Sequence, residues 1–155
     1  QFLREDTFSV KELLDEIIGE LNPVAEDKEV IVKEEIEQDM LFRNANRPLI
    51  FSMFYNVINN AVKNTSGGGE VVVRSLTSHG RYKVEIADTG RGMDDARLDT
   101  LFSRFKSRRD DDENGTGIGL AITKTIADFH KIEILVTSKE GKGTSFSFFL
   151  PENSL

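Results

Sequence analysis

A helical repeat of apolar residues opens the chain. It begins at Val10, behind a Ser9 that suits a helix N-cap. The apolar residues of this repeat are Val10, Leu13, Leu14, Ile17, Ile18 and Leu21. Asn22 and Pro23 follow, and because a proline inside a helix removes a hydrogen bond, we expect the first helix to be interrupted or to end there.

Two more long stretches repeat apolar residues with the same period. One opens at Pro48 and covers residues 49 to about 63, and the other starts near Gly117. Between them, residues 94–101 fit a shorter helix. The pattern therefore predicts three long helices and one short one.

Six short runs rich in β-branched and aromatic residues predict strands. They are residues 30–36, 40–43, 70–76, 82–87, 132–137 and 145–150. Turns around His79 and Gly80 and across residues 140–143 join the last four runs into two hairpins. We expect a two-layer α/β sandwich, in which a mixed, mostly antiparallel sheet of about five strands is covered on one face by about three helices.

Composition narrows the class of protein. The chain has 155 residues, enough for one domain, and 38% of them are hydrophobic. Its formal net charge of −7 argues against a nucleic-acid binder, because affinity for the phosphate backbone comes from clustered Lys and Arg. Without cysteine the chain has no disulfide, thiol nucleophile or thiolate metal site. Any phosphate that it binds is therefore expected to belong to a small nucleotide.

The second predicted helix carries three polar residues that project together. At 100° per residue, Asn56, Asn60 and Lys63 fall within about 60° of one another, away from the apolar stripe. An amide oxygen suits a Mg²⁺ ion whose other ligands are phosphate oxygens and water, and a lysine offers its charge to phosphate. Polar residues on the outer face of a helix are also often simply solvated, so this pattern alone leaves both interpretations open.

An acidic residue ends the fourth predicted strand and is followed by glycines. A carboxylate at this place, Asp88, can accept a hydrogen bond from the amino group of adenine. Gly90 and Gly92 would let the backbone approach a flat ring. The alternative is an ordinary Asp-Gly turn after a strand.

Two phenylalanines precede a charged stretch without apolar residues. Phe102 and Phe105 flank Arg104, and the charged stretch covers residues 106–115. Because this stretch has nothing to bury, we expect a mobile loop that forms a lid, with the phenylalanines as its anchors and Arg104 reaching the γ-phosphate. The alternative, which the residues alone favour, is that the phenylalanines are core residues and the charges a solvated run.

Alternating glycines run from Gly115 to Leu120 (GTGIGL), where the lid meets the last long helix. Successive backbone N–H groups and the positive end of that helix would form an anion site. The spacing is neither that of a dinucleotide fingerprint nor that of a P-loop. The chain also lacks the His-Arg-Asp and Asp-Phe-Gly motifs of serine/threonine kinases.

Together, four segments resemble the nucleotide-binding boxes of histidine kinase catalytic domains. They are residues 56–65 (NVINNAVKNT), 88–93 (DTGRGM), 101–107 (LFSRFKS) and 115–122 (GTGIGLAI). Residues 141–151 (GKGTSFSFFLP) are similar to the closing segment of this family. The resemblance covers residues 8–151 and implies a Bergerat ATP-binding fold, which the gyrase and MutL ATPases share.

The resemblance also implies roles for individual residues. Asn60 matches the Mg²⁺ ligand, Asn56 its companion near the phosphates, and Asp88 the adenine-reading carboxylate. The expected catalytic residues are Asn56, Asn60, Lys63 and Arg104. The other residues expected to line the nucleotide site are Asn64, Gly90, Gly92, Met93, Phe105, Gly115, Thr116, Gly117, Ile118, Gly119 and Leu120. Asn64 stands where the family commonly has an aromatic residue, often Tyr.

Position 56 separates phosphoryl transfer from hydrolysis. Hydrolytic members of the superfamily place a glutamate one helical turn before the Mg²⁺ asparagine to activate water, and the amide of Asn56 cannot act as that base. The resemblance therefore implies transfer of the γ-phosphoryl group of Mg²⁺-ATP to a histidine in two-component signalling. The alternatives are an ATPase of the same superfamily, an anti-sigma-type serine kinase, and a nucleotide-gated interaction module without catalysis.

The acceptor histidine is expected outside this chain. Neither His79 nor His130 has the local sequence of an acceptor, and His130 fits a structural role. Because the chain begins at Gln1, we expect a piece of a longer protein. Its expected parts are the end of a linker (residues 1–8), the catalytic domain (9–151) and a tail (152–155).

The resemblance implies partners and a location as well. The expected partners are ATP, the dimerising helical hairpin that carries the phosphoacceptor and, indirectly, a response regulator. We expect the domain to contact neither nucleic acid nor membrane, and to lie in the cytoplasm, whether or not its parent is anchored in the inner membrane.

Overall fold

The computed structural model describes residues 2–107 and 116–151, except the side chains of residues 102–107 and 116–119. Its elements, in chain order, are β1 (Asp6–Ser9), α1 (Val10–Asp27), β2 (Ile31–Ile36), β3 (Leu41–Ala45), α2 (Arg47–Asn64), β4 (Glu70–Ser78), β5 (Arg81–Asp88), α3 (Asp95–Ser107), α4 (Thr116–Phe129), β6 (Glu133–Lys139) and β7 (Gly143–Phe149).

Five strands form one sheet in the order β2-β4-β5-β7-β6. Only β2 and β4 pair in parallel, and the other three neighbouring pairs are antiparallel. The turn between β4 and β5 has positive φ at His79 and Gly80, as a two-residue hairpin of right-handed strands requires. Within the described residues, the predicted two-layer α/β sandwich is therefore confirmed.

The two faces of this sheet differ in chemistry. Tyr82, Val84 and Ile86 alternate along β5 and are buried in the core on the inner face, which the helices cover. There α1 packs over β2, α2 over β4 and β5, and α4 over β6. On the outer face Arg74 pairs with Glu35 and Glu85 at 2.8 and 2.9 Å. The apolar layer between sheet and helices therefore positions α2 above the end of β5.

The expected interruption or end of the first helix at Asn22 and Pro23 is wrong, because α1 continues through Pro23 to Asp27 without a break. Leu21 and Ala25 are both buried, so burial holds the turns on either side of the proline. Proline has no N–H, so the carbonyl of Gly19, four residues earlier, loses its helical hydrogen bond. Gly19 is exposed, and water can therefore hydrogen-bond to that carbonyl. Tertiary packing here outweighs the helix-breaking preference of proline.

Two further features differ from the pattern analysis. Asp6–Ser9 form a strand, β1, that pairs with β3 as a separate two-stranded sheet. The helix expected over residues 94–101 extends to Ser107, so residues 106 and 107 are helical rather than part of a loop. Arginine and lysine are good helix formers, which lets α3 continue past its last buried leucine. The rest of the expected lid, residues 108–115, lies outside the described residues.

No helix in residues 2–107 and 116–151 is both long enough and apolar enough to cross a membrane.

Candidate functional site

The helix α2 forms because a cap, a proline and an apolar stripe act together. Its N-cap, Asn46, accepts a hydrogen bond from the Leu49 N–H at 3.1 Å, and Pro48 lies in the first turn, where no N–H is needed. The buried stripe consists of Ile50, Met53, Phe54, Val57, Ile58, Ala61 and Val62. This stripe packs against the sheet and fixes which residues point elsewhere.

Asn56 and Asn60 lie one helical turn apart on the side of α2 that is only half-buried. Neither side chain makes a hydrogen bond to any described residue, although both lie next to the core stripe. Lys63 and Asn64 follow in the last turn and are exposed. Among the described residues, α2 therefore presents the half-buried amides of Asn56 and Asn60 and the exposed side chains of Lys63 and Asn64 toward a possible ligand.

The C-terminal end of α2 is held in place by side chains. Thr65, which is buried, donates its hydroxyl to the Ala61 carbonyl at 2.7 Å. Lys28 donates its ammonium group to the carbonyls of Val62 and Lys63 at 3.2 and 2.6 Å. A cation at this end also complements the helix dipole. The apolar pattern gave no sign of Lys28, because the contact joins residues far apart in sequence.

Asp88 is the last residue of β5, and its side chain lies on the inner face with Val84 and Ile86. One carboxylate oxygen, Oδ1, accepts hydrogen bonds from the N–H groups of Gly90 at 2.8 Å and Thr144 at 3.3 Å. The other, Oδ2, accepts none from the residues that the structure describes. Burial raises the pKa of this carboxyl, and its two backbone hydrogen bonds partly oppose that rise. The side chain is thus held by one oxygen and offers the other as an acceptor.

Glycines let the loop at residues 88–93 pass through a narrow space. A Cβ on Gly90 would overlap the carbonyl of Asn64 at the end of α2. A Cβ on Gly92, where φ is +68°, would overlap the Lys139 carbonyl at the end of β6. The loop therefore lies tightly between α2 and the β6–β7 hairpin, with Gly90 packed against the carbonyl of Asn64.

The β6–β7 hairpin supplies three residues that sequence reasoning did not single out. A Cβ on Gly143, where φ is +121°, would overlap the Asp88 carbonyl. Ser138 accepts the Met93 N–H at 2.8 Å and lies 2.8 Å from the hydroxyl of Thr144. These residues belong to the last two strands, and only the sheet register opposite Asp88 brings them to the site. The one sequence signal was the glycine pair of the closing segment, at residues 141 and 143.

Apart from Gly115, the predicted residues that follow Met93 in the chain lie on α3 and α4. The last helix starts at Thr116, close to the predicted start near Gly117, and its first turn includes Gly117, Ile118 and Gly119. Leu120 is buried, as a core residue of that helix. Arg104 and Phe105 fall within α3, their side chains are among those not described, and Gly115 lies outside the described residues.

His130 is buried and both of its ring nitrogens are hydrogen-bonded. Nδ1 lies 2.9 Å from the Ile126 carbonyl, to which it donates, and Nε2 accepts the Asn46 N–H at 3.0 Å. Burial lowers its pKa, which favours the neutral ring that these two bonds require. The predicted structural role is confirmed, since the histidine joins the end of α4 to the start of α2.

We interpret the described residues as the two ends of one candidate site, which adjoin where Gly90 approaches the Asn64 carbonyl. At one end the half-buried Asp88 offers an acceptor beside backbone that can approach a flat ring. Along α2, Asn56 and Asn60 offer oxygen ligands, and Lys63 offers a positive charge. This arrangement suits a ligand with an amino-bearing ring at one end and an oxygen-rich, anionic group at the other.

Comparison with known proteins identifies the family of this chain. Residues 45–154 match the family described as histidine kinase-, DNA gyrase B-, and HSP90-like ATPase. The chain is 33% identical over 139 residues to the adaptive-response sensory kinase SasA of Crocosphaera subtropica, covering 88% of this chain and 36% of that protein. It is 31% identical over 150 residues to the heme sensor protein HssS of Staphylococcus haemolyticus, covering 97% of this chain and 32% of that protein. It thus spans about a third of the length of these relatives.

Solved structures share the fold. The catalytic domain of the histidine kinase ThkA superposes with a TM-score of 0.80 at 23% identity, covering 98% of this chain and 97% of that one. ThkA in complex with the response regulator TrrA gives a TM-score of 0.77 at 22% identity, covering 97% and 42% of the two chains. Full-length ShkA in complex with AMPPNP gives 0.78 at 24% identity, covering 97% and 31%.

Proposed function

The chain belongs to the histidine kinase-, DNA gyrase B-, and HSP90-like ATPase family, in the branch of sensor histidine kinase catalytic domains, and we propose that it phosphorylates a histidine of its parent protein. It would bind Mg²⁺-ATP and transfer the γ-phosphoryl group to a separate dimerising helical hairpin, from which a response regulator would take it. The complexes of ShkA with AMPPNP and of ThkA with TrrA support these partners by analogy.

One observation carries the proposal: two amides without partners in the described structure lie one turn apart on a helix whose end touches the Asp88 loop. Hydrolytic relatives need a carboxylate at the first of these positions, whereas Asn56 can position a phosphate but cannot remove a proton from water. Positioning and charge neutralisation are most of what phosphoryl transfer asks of a protein. The chain therefore has the groups for transfer and lacks the base for hydrolysis at that place.

Mg²⁺ fits the residues on α2. The Asn60 amide oxygen is a hard, neutral ligand of the kind that Mg²⁺ accepts alongside phosphate oxygens and water. Bound there, the ion would neutralise charge on the phosphates. Lys63, exposed in the last turn of α2, would hold the phosphate chain by its charge, while Asp88 would orient the adenine through Oδ2. We propose Arg104 and the glycines of the α4 N-terminus as further phosphate contacts.

Neither histidine of this chain suits the acceptor role. His130 is buried with both nitrogens engaged, so phosphorylation would break its two hydrogen bonds. His79 lies in the β4–β5 turn, at the other end of β5 from Asp88, about 25 Å away for a strand of this length. A histidine on another segment is therefore required, and we place the domain with that segment in the cytoplasm.

The test is to mix this domain with the helical hairpin of its parent and γ-labelled Mg²⁺-ATP. We expect label on a histidine of the hairpin, detected as an acid-labile phosphate, and steady phosphate release from the domain alone to be negligible. The Asn60→Ala variant should lose transfer. Acid-stable label would indicate a serine kinase, steady phosphate release an ATPase, and nucleotide binding without transfer a non-catalytic module; each would refute the proposal.

A further inference from the structure

The turn between α1 and β2, at residues 28–30, lies against the loop that follows α2. The Glu29 carbonyl accepts the Gly68 N–H at 2.9 Å. Gly67 comes so close that a Cβ there would lie 3.2 Å from the Lys28 carbonyl oxygen. Two backbone segments that are far apart in sequence therefore hold each other in place at this corner of the fold.

The side chain of Lys28 reaches further, to the last turn of α2. Its ammonium group donates to the carbonyls of Val62 and Lys63 at 3.2 and 2.6 Å, although Asp27 and Glu29 flank it in the sequence. The last carbonyls of a helix have no partner within the helix and carry its negative partial charge. An ammonium group at this place supplies both hydrogen bonds and a compensating charge, so the end of α2 is fixed from outside the helix.

The end of α2 in turn touches the loop that begins at Asp88. A Cβ on Gly90 would lie 2.5 Å from the Asn64 carbonyl oxygen, and the Gly90 N–H donates to the Asp88 carboxylate at 2.8 Å. Just beyond the helix, the Glu70 N–H donates to the Thr89 hydroxyl at 3.0 Å, and the Thr89 N–H donates to the Glu70 carbonyl at 3.1 Å. A shift of the last turn of α2 would therefore move the backbone that holds the carboxylate of Asp88.

We propose that Lys28 is a positioning residue of the nucleotide site, which holds the last turn of α2 against the Asp88 loop and so keeps the Asp88 carboxylate in place for adenine. The inference rests on the proposed function, because it concerns the affinity for an adenine nucleotide. It requires no contact between Lys28 and the ligand. The effect of Lys28 is then equal for nucleotides with one and with three phosphates, whereas direct attraction of the ammonium group would grow with the charge of the ligand.

The variant Lys28→Met tests this role, because it keeps the aliphatic stem and removes the ammonium group. In the ligand-free domain, we expect faster hydrogen exchange at the amides of Thr65 and Gly90. A loop that spends less time in its binding geometry lowers the apparent affinity in proportion, so binding of ATP in calorimetry and of AMP in NMR titration should both weaken about tenfold. Lys28→Arg can still donate to both carbonyls and should bind within about threefold of the wild type.

Arg47→Met is the matched control. Arg47 joins the start of α2 to Glu16 of α1 at 2.8 Å, so it also ties these helices together, but at the opposite end of α2. Urea unfolding establishes that each variant is fully folded under the conditions of the binding measurements. We expect Arg47→Met to leave the exchange at Gly90 and both nucleotide affinities unchanged, whatever it costs in stability.

Three outcomes would overturn the inference alone. Unchanged exchange at Gly90, or wild-type affinity in Lys28→Met, would show that the end of α2 does not need this lysine to position the loop. Weaker binding of ATP with unchanged binding of AMP would assign the effect to the charge of Lys28. An equal loss in Arg47→Met would make it a general consequence of lower stability. A wild-type domain that binds neither nucleotide would instead refute the proposed function, and the inference with it.

Discussion

The two ends of the proposed nucleotide site are built differently. At the adenine end, which comprises residues 88–93 with Gly143 and Thr144, backbone meets backbone so closely that side chains are excluded, and the carboxylate is already held by two N–H groups. At the phosphate end, Asn56 and Asn60 make no hydrogen bond to a described residue. The fold thus holds the carboxylate of the adenine end in place without a ligand, whereas the amides of the phosphate end would gain hydrogen bonds only when a ligand binds. Filling the close backbone contacts of the first end should affect folding, and removing an amide at the second should affect ligand binding without affecting folding.

The largest effect is expected from Gly143→Ala, which would break the adenine end. The new Cβ would overlap the Asp88 carbonyl at a backbone angle that favours glycine, so the free energy of unfolding should fall by about 3 kcal/mol. Gly141→Ala is the control, because φ is also positive there but nothing lies within 4 Å, and it should cost only about 1 kcal/mol. Urea unfolding measures both. Equal losses would mean that the close approach to Asp88 does not matter.

Next in size is Asp88→Asn, which keeps the structure of the adenine end but reverses its hydrogen bonding. The amide oxygen can still accept the N–H groups of Gly90 and Thr144, which leaves an NH₂ group facing the amino group of adenine. We expect ATP affinity to fall about 100-fold, or roughly 3 kcal/mol, in calorimetry. The melting temperature should not fall, since the buried charge is removed. Asp99→Asn, an exposed position on α3, should bind as the wild type does.

A smaller effect is expected from Asn60→Ala at the phosphate end. Because its amide has no partner among the described residues, the free energy of unfolding should change by less than about 0.5 kcal/mol. Affinity for ATP should fall about tenfold with magnesium and remain unchanged when the metal is chelated. Asn59→Ala, one position away and also half-buried, provides the comparison. A marked loss of stability would contradict the view that this end has no structural contacts of its own.

The smallest effect is a dependence on pH that belongs to the adenine end alone. Burial raises the pKa of Asp88 above its ordinary value of 3.8, so acidification protonates it earlier than an exposed aspartate. Nucleotide affinity should therefore weaken as pH falls through that raised pKa, by at most about 1.4 kcal/mol per pH unit.

The free domain should respond in the opposite direction. Because the folded-state pKa is raised, the contribution of Asp88 to stability is fully present at low pH and is lost as pH rises through the folded pKa. Calorimetry and thermal melting at a series of pH values check both signs. Asp88→Asn should remove both dependences, and an unchanged profile in that variant would assign them to another group.

Periodicity predicted most of the fold because most segments bury one clear face. Buried residues alternate along β5 with the period of two that is typical of a strand, and those of α2 recur with the period of 3.6 that is typical of a helix. The errors arose where tertiary contacts outweigh local preference, as at Pro23, which buried neighbours keep helical. Asp6–Ser9 could not be recognised as a strand, because its pairing partner β3 lies more than 30 residues away.

Site residues that lie close together in the sequence could be predicted, and those brought together only by the fold could not. Asp88, Gly90 and Gly92 form one continuous segment, and Asn56 and Asn60 lie on one helix, so residue type and spacing marked them as candidates and the resemblance to the histidine kinase boxes gave their roles. Ser138 and Thr144 reach the same site only through the pairing of β5, β7 and β6. Lys28 reaches the end of α2 across the fold. A pattern within a short stretch of sequence cannot predict contacts between residues that lie far apart along the chain.

His130 joins the two helices at the ends far from Asp88. It connects the last turn of α4 to the N-cap of α2, while Gly117 and Gly119 lie in the first turn of α4, more than two helical turns from this connection. The imidazole therefore ties these two helices together at the ends that lie away from the proposed phosphate contacts. A triphosphate bound at the opposite ends would leave the packing around His130 intact.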